Sequence, residues 1–182
     1  MGKSIGMIEF KTVSTGVTAA DAMLKTAAVE LIEAQTVCPG KYIALISGEL
    51  SAVDAAVAVA KNNYGEQYIG SFVLGNPHES IFPAIYGTAE IGKVEALGIL
   101  ETYDASSIIV AADIAAKTAI VELIELRIAK GMCGKSFMFL TGEVSSVQAA
   151  IDKAKAVVGE NGMYLDSSII ANPDEQICKS IL

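Results

Sequence analysis

The chain repeats itself, and this duplication constrains its fold more than any other feature. When residues 5–34 are laid on residues 97–126, 14 of the 30 positions are identical. After a two-residue insertion the match resumes, with Gly40-Lys41 on Gly134-Lys135, and a second insertion aligns Asn76-Pro77 with Asn172-Pro173. Self-similarity at a fixed spacing is the signature of repeated structural units. The sequence therefore predicts two tandem domains, residues 1–93 and residues 94–182.

Each repeat shows the same order of secondary-structure signals. Short apolar runs bounded by turn residues predict strands, and apolar residues spaced by three and four predict helices. In the first repeat we expect strands at 4–13, 29–37, 41–48 and 67–74, a helix at 19–28 capped by Thr18, and a second helix capped by Ser51. The inward positions would be Ala20, Met23, Leu24 and Ala27 in the first helix and Val53, Ala56, Val57 and Ala60 in the second. This order predicts an α+β fold with a ferredoxin-like sheet and helices on one face.

Composition excludes several classes of function. The net charge is −8, Arg127 is the single arginine, and no basic run exists, so nucleic acid is not an expected partner. No uncharged apolar stretch is long enough to predict a membrane span. The three cysteines, Cys38, Cys133 and Cys178, are odd in number and form no CxxC pair, which argues against a disulfide framework and favours a reducing cytoplasm.

Catalytic motifs are missing from the sequence. There is no nucleophile elbow, no phosphate-binding loop and no HxxxH pair, and His78 is the single histidine. Glu9 and Glu101 recur on the first strand of each repeat, but a duplication repeats any residue, so we interpret them as structural. We therefore predict a protein that is not an enzyme. A trimeric small-molecule sensor with a ferredoxin-like fold remains an alternative.

The repeats resemble a known family. Segments IGMIEF, AADAMLKTAAVELIE and CPGKYIALISGELSAVDAAV in the first half, and LGILET, AADIAAKTAIVELIE and CGKSFMFLTGEVSSVQAAI in the second, are similar to the bacterial microcompartment shell domain. The resemblance implies a structural shell subunit of the tandem-domain class, in which three chains form a homotrimeric, pseudohexameric disc with a central pore. It also implies a location in the microcompartment shell, within the cytoplasm, and other shell proteins as partners.

The segment VCPGK resembles iron–sulfur-binding shell proteins of propanediol-utilising microcompartments. The resemblance implies that Cys38 is the metal and cofactor ligand, with one [4Fe–4S] cluster per trimer, electron transfer across the shell, and encapsulated redox enzymes as candidate partners. The alternative is a loop cysteine beside a bare metabolite pore. Cys133 is either a bystander near the pore or a member of the site. The predicted pore loops contain Val37, Pro39, Gly40, Lys41, Met132, Cys133, Gly134 and Lys135.

Two lysines match the family's lysine at the edge of the disc. Lys25 and Lys117 occupy equivalent places in the two repeats, and the alternative role is that of an ordinary helix lysine facing solvent. The family usually carries an arginine before the proline of its last motif, whereas this chain has Asn76 and Asn172. The contact between discs is therefore expected to be weaker or altered. His78, in the same motif, is expected to be a structural loop residue.

Overall fold

The structure, a computed structural model, describes residues 4–181, so residues 1–3 and 182 of the two predicted domains lie outside the described residues. Its elements in chain order are β1 (Ser4–Phe10), α1 (Val13–Thr26), β2 (Val29–Val37), β3 (Lys41–Gly48), α2 (Leu50–Asn63), β4 (Tyr68–Leu74), α3 (Ile81–Tyr86), β5 (Ala96–Thr102), α4 (Ala105–Thr118), β6 (Glu122–Arg127), β7 (Ser136–Gly142), α5 (Val144–Glu160), β8 (Tyr164–Ala171) and α6 (Glu175–Ile181). A 3-10 turn at Gly65–Gln67 precedes β4.

Two four-stranded antiparallel sheets of the same topology form the framework. The strand order is β2-β3-β1-β4 in the first sheet and β6-β7-β5-β8 in the second. The edge strands β2 and β6 each carry a register shift at the same place in the repeat. In the first sheet, alternate residues of β1 and β3 pack against α1 and α2 around buried Ile8, Phe10 and Met23. The predicted α+β fold with helices on one side of each sheet is confirmed.

The chain divides into two compact units between Pro77 and His78. This division precedes the predicted seam at residue 93 because the segment after β4 packs within the second unit. That segment contains α3, whose buried Ile81 and Ala84 belong to a helix that packs on β6. Neither α3 nor the equivalent α6 was expected from the sequence, since six or seven residues are too few to show helical periodicity.

The first helix begins earlier than predicted. It starts at Val13 after Thr12, and Thr18 lies inside it, where its hydroxyl donates to the carbonyl oxygen of Ser14 at 3.0 Å. The predicted first strand accordingly ends at Phe10 instead of residue 13. Gly16 and β-branched residues are weak helix formers, and they concealed the first turns. Packing explains the glycine, because a Cβ at position 16 would lie 2.4 Å from Cδ1 of Tyr42.

Two details of the helices also differ from expectation. Leu24 was predicted to face inward but is exposed, whereas Ala20 and Met23 are buried as expected. The second helix begins at Leu50, and neither Ser51 nor Glu49 caps it through a side-chain hydrogen bond. Its predicted inward residues, Val53, Ala56, Val57 and Ala60, are all buried.

A glycine on the first strand of each repeat lets the second helix approach the sheet. A Cβ at Gly6 would lie 2.5 Å from Cγ1 of Val53, and a Cβ at Gly98 would lie 2.8 Å from Cγ1 of Val147. Both distances are well below van der Waals contact. The duplication therefore preserves a steric requirement of the helix–sheet interface.

We expect Gly98→Val to lower the free energy of unfolding by about 2 kcal/mol, because the added side chain overpacks a buried interface. The measurement is urea unfolding at fixed protein concentration. Gly70→Val on β4 is the matched control, because no atom lies within 4 Å of a Cβ built there. Equal loss of stability in both variants would show that steric exclusion is not the reason for Gly98.

Candidate pore loops and edge lysines

The turn between β2 and β3 presents Cys38. Val37 is buried at the end of β2, Cys38 is half-buried, and Pro39 and Gly40 are exposed. The backbone N–H of Gly40 donates to the carbonyl oxygen of Val37 at 2.9 Å, and the Cys38–Pro39 peptide bond is cis. Gly40 has φ of 94°, a conformation that glycine adopts readily. The turn therefore holds a free thiol at the surface on a closed backbone loop.

Lys41, which follows this turn, pairs with an acidic residue of the neighbouring strand. Its Nζ lies 2.8 Å from Oε1 of Glu9, and both side chains are mostly shielded from solvent. This pair gives Glu9 the structural role expected from the sequence. It also means that the charge of Lys41 is compensated beside the loop by Glu9.

The equivalent loop of the second unit has a different backbone. β6 ends at Arg127, so the connection to β7 is longer than the β2–β3 turn. Left-handed conformations recur along it, at Ala129, Gly131, Cys133 and Gly134. The N–H of Lys135 donates to the carbonyl oxygen of Met132 at 3.1 Å. The longer loop therefore reverses the chain direction through several left-handed residues, unlike the short turn between β2 and β3.

The three thiols lie in different settings. In the repeat alignment Cys133 falls opposite Pro39, while Met132 falls opposite Cys38. Cys133 is exposed, and Cys178 lies on α6 with its Sγ 4.0 Å from the carbonyl oxygen of Pro173. Among residues 4–181, no three histidine, cysteine or acidic side chains gather in a metal-binding group. Each chain would thus contribute Cys38 as a single thiol from the first loop.

The two predicted edge lysines lie in the last turns of α1 and α4. Lys25 is ion-paired with Asp21 at 2.6 Å, and Lys117 is ion-paired with Asp113 at 2.7 Å. Asp21 is exposed, whereas Asp113 is buried. These ion pairs were not identified from the sequence. The spacing of four residues on a helix was the signal that could have found them.

Asp113 also fixes the loop that precedes α3. Its Oδ1 accepts a hydrogen bond from the backbone N–H of His78 at 2.7 Å. The Nδ1 of His78 lies 2.8 Å from Oγ of Ser80, at the start of α3. These contacts join the backbone N–H of His78 to the carboxylate of Asp113 and its ring to the hydroxyl of Ser80, which fits the structural role expected of His78.

The two asparagines that stand where the resemblance implies an arginine have left-handed backbone conformations. Asn76 has φ of 52° and Asn172 has φ of 51°, each directly before a proline. Asparagine is among the few residues other than glycine that adopt this left-handed region readily. Asparagine therefore suits the left-handed backbone at both positions.

Comparison with known proteins decides the family. The BMC domain profile matches residues 4–77 and again residues 96–173. The chain belongs to the BMC domain family. The bacterial microcompartment shell protein PduT of Citrobacter freundii is 37% identical over 182 residues, which is 100% of this chain and 99% of that protein. The carboxysome shell protein CsoS1 of Prochlorococcus marinus is 38% identical over 88 residues, covering 47% of this chain and 85% of that protein.

Solved structures agree with the BMC assignment. A microcompartment protein from Desulfitobacterium hafniense DCB superposes with a TM-score of 0.94 at 42% identity, over 98% of this chain and 99% of that one. The fused permuted hexameric shell protein MSM0275 superposes with a TM-score of 0.66 at 22% identity over 87% of this chain and 84% of that one, a likeness of fold alone. The resemblance to microcompartment shell proteins is confirmed, and with it a location in a protein shell inside the bacterial cytoplasm.

No helix among residues 4–181 is long and apolar enough to cross a bilayer. The matched relatives are shell components, which are structural proteins.

Proposed function

We propose that three copies of this BMC protein form a pseudohexameric disc in a microcompartment shell, and that the central pore of the disc carries one [4Fe–4S] cluster bound by Cys38. The observation that carries the proposal is the presence of two complete BMC domains in one chain that resembles PduT over its full length. The role is containment and electron passage, without catalysis. Other shell proteins are the lateral partners, and encapsulated redox enzymes would exchange electrons at the pore.

Unequal burial of the two repeats supports assembly. Val17 on α1 is 50% exposed, whereas its counterpart in the second repeat, Ile109 on α4, is fully buried. Val13 is likewise exposed, and its counterpart Ala105 is buried. Exposed apolar residues in one repeat thus occupy positions that are covered in the other. A closed ring of identical chains would cover them in every copy.

The chemistry of the first loop supports the cluster. Cysteine thiolates are the usual ligands of iron–sulfur clusters, and Cys38 is a free, partly exposed thiol on a turn. Three chains around a threefold axis would supply three such thiolates, and a non-thiol group would complete the set. A bound cluster would supply one-electron transfer. Cys38 would anchor it through its thiolate.

The shell role requires an assembled state in solution. We expect sedimentation equilibrium to give about three times the chain mass of 18.9 kDa at micromolar concentration, because the exposed apolar positions of the first repeat would be covered in a ring. Mass measurements across a dilution series give the association constant. A monomer that persists at the highest concentration would contradict the trimeric disc and leave only the family assignment.

A further inference from the structure

The short helix α3 has a defined docking partner. It follows the last strand of the first repeat, and it packs on the edge strand β6. Ile81 and Ala84 of α3 are fully buried. On β6, Leu123, Ile124 and Leu126 are buried as well. An edge strand of one sheet is therefore covered by the helix that ends the preceding repeat.

The equivalent helix of the second repeat lacks such cover. The alignment that places Asn172 on Asn76 also places Ile177 of α6 on Ile81 of α3. Ile177 is 48% exposed, whereas Ile81 is 0% exposed. No residue of α6 is buried among those that the structure describes. Helix α6 thus exposes Ile177 at the position equivalent to Ile81, the residue through which α3 packs on β6.

The equivalent edge strand of the first repeat is also uncovered. Leu31 on β2 is 44% exposed, whereas its counterpart Leu123 on β6 is 2% exposed. Ile32 and Ala34 of β2 are half-buried, and their counterparts on β6 are buried. β2 and β6 have the same place in their sheets and the same register shift. The surface of β6 on which α3 packs therefore has an equivalent surface on β2, and that equivalent surface is exposed.

We propose that α6 of one copy docks on β2 of a second copy, in the way that α3 docks on β6. The proposal rests on the homotrimer proposed above and names the surface that closes it. The helix follows the second repeat and its acceptor strand belongs to the first, so the contact is head-to-tail. Such a contact between identical chains closes into a ring when its rotation permits. Ile177 and Leu31 are the apolar centre of the contact.

Charged substitutions at the two centres test the contact. We expect Ile177→Asp and Leu31→Asp each to weaken trimer association by about 100-fold, because each leaves a carboxylate at a buried apolar centre. Sedimentation over a dilution series measures the association constant. Leu50→Asp is the control, since Leu50 is similarly exposed and an acidic residue suits the first turn of α2. Circular dichroism confirms that each variant remains folded.

The outcomes separate this contact from the trimer itself. A monomeric wild-type protein overturns the proposed function and this contact together. A trimeric wild type whose Ile177→Asp and Leu31→Asp variants associate as tightly as Leu50→Asp overturns the contact alone. Loss of trimer in both variants with Leu50→Asp unaffected supports it.

Crosslinking between different copies provides a test that does not depend on weakening the assembly. In a background with the three native cysteines changed to serine, one sample carries Ile177→Cys and the other carries Leu31→Cys. After mixing, exchange of subunits and treatment with a short bismaleimide, we expect covalent pairs of one chain from each sample. A partner sample with Asp54→Cys, exposed on α2, is the matched control and should stay uncrosslinked. Equal yields with Leu31→Cys and Asp54→Cys in trimeric protein would overturn the contact.

Discussion

Cys38→Ser should leave anaerobically purified protein almost free of iron and sulfide, where the wild type should bind about four iron atoms per trimer. The reason is that each chain presents one thiol on the β2–β3 turn, so the substitution removes all the thiolates of the proposed site at once. Serine has nearly the same size, and Cys38 is only half-buried, so the fold and the trimer should persist. Iron and sulfide analysis, the visible absorption spectrum and electron paramagnetic resonance measure the loss.

Cys133→Ser is the matched control for this experiment. Cys133 is exposed and lies opposite Pro39 in the repeat alignment, so the variant should keep its iron. If Cys133→Ser also lost its iron, the second loop would belong to the site. If wild-type protein reconstituted with iron and sulfide bound no cluster, the cluster would be refuted and the bare metabolite pore would take its place.

Lys25→Glu combined with Lys117→Glu should abolish two-dimensional sheets while leaving the trimer assembled. Both lysines lie in the last turn of the first helix of their repeat, and they are the residues predicted to form the edge contact. Charge reversal would place a glutamate against each neighbouring disc and would remove the ion pair with the aspartate four positions earlier. Electron microscopy of assembled protein and sedimentation of the soluble fraction measure the two properties.

A second pair of lysines gives a control of equal charge. Lys61 and Lys155 are equivalent residues of the second helices, and each lies over a tyrosine ring, Tyr68 or Tyr164. Lys61→Glu with Lys155→Glu changes the net charge by the same amount away from the proposed edge. Sheets that survive the Lys25 and Lys117 reversal would show that the edge role is wrong, and Asn76 and Asn172 would then mark the departure from the family.

Periodicity and the duplication predicted the strands and their order well. The predicted limits of β2 and β3 agree with the structure to the residue, because both strands end at turn-forming residues. The first turns of α1 were missed because Gly16 is unfavourable in an isolated helix. Glycine is required at position 16 because Tyr42 of β3 packs against it. The local sequence around Gly16 does not show this contact.

The position of the turn that carries Cys38 was predictable from the sequence, but the contacts around the candidate residues were not. The turn at Cys38 was expected between two strands, since Pro39 and Gly40 break regular structure. The link from His78 to Asp113 joins residues 35 positions apart, so only the folded chain reveals it. The roles of the pore loops and of the edge lysines remain predictions until the experiments above are done.

The difference in burial between Asp21 and Asp113 has a consequence for the packing of discs in a layer. Lys117 is held by a buried carboxylate that is itself anchored to the α3 loop, whereas Lys25 is paired with an exposed one. In the proposed ring of three chains, with both lysines at the predicted edge, these two kinds of lysine would alternate around the rim. Rotating a disc by one-sixth of a turn would then exchange lysines paired with a buried aspartate for lysines paired with an exposed one. A growing lattice would acquire orientational order, and patches that start in opposite orientations would meet along grain boundaries.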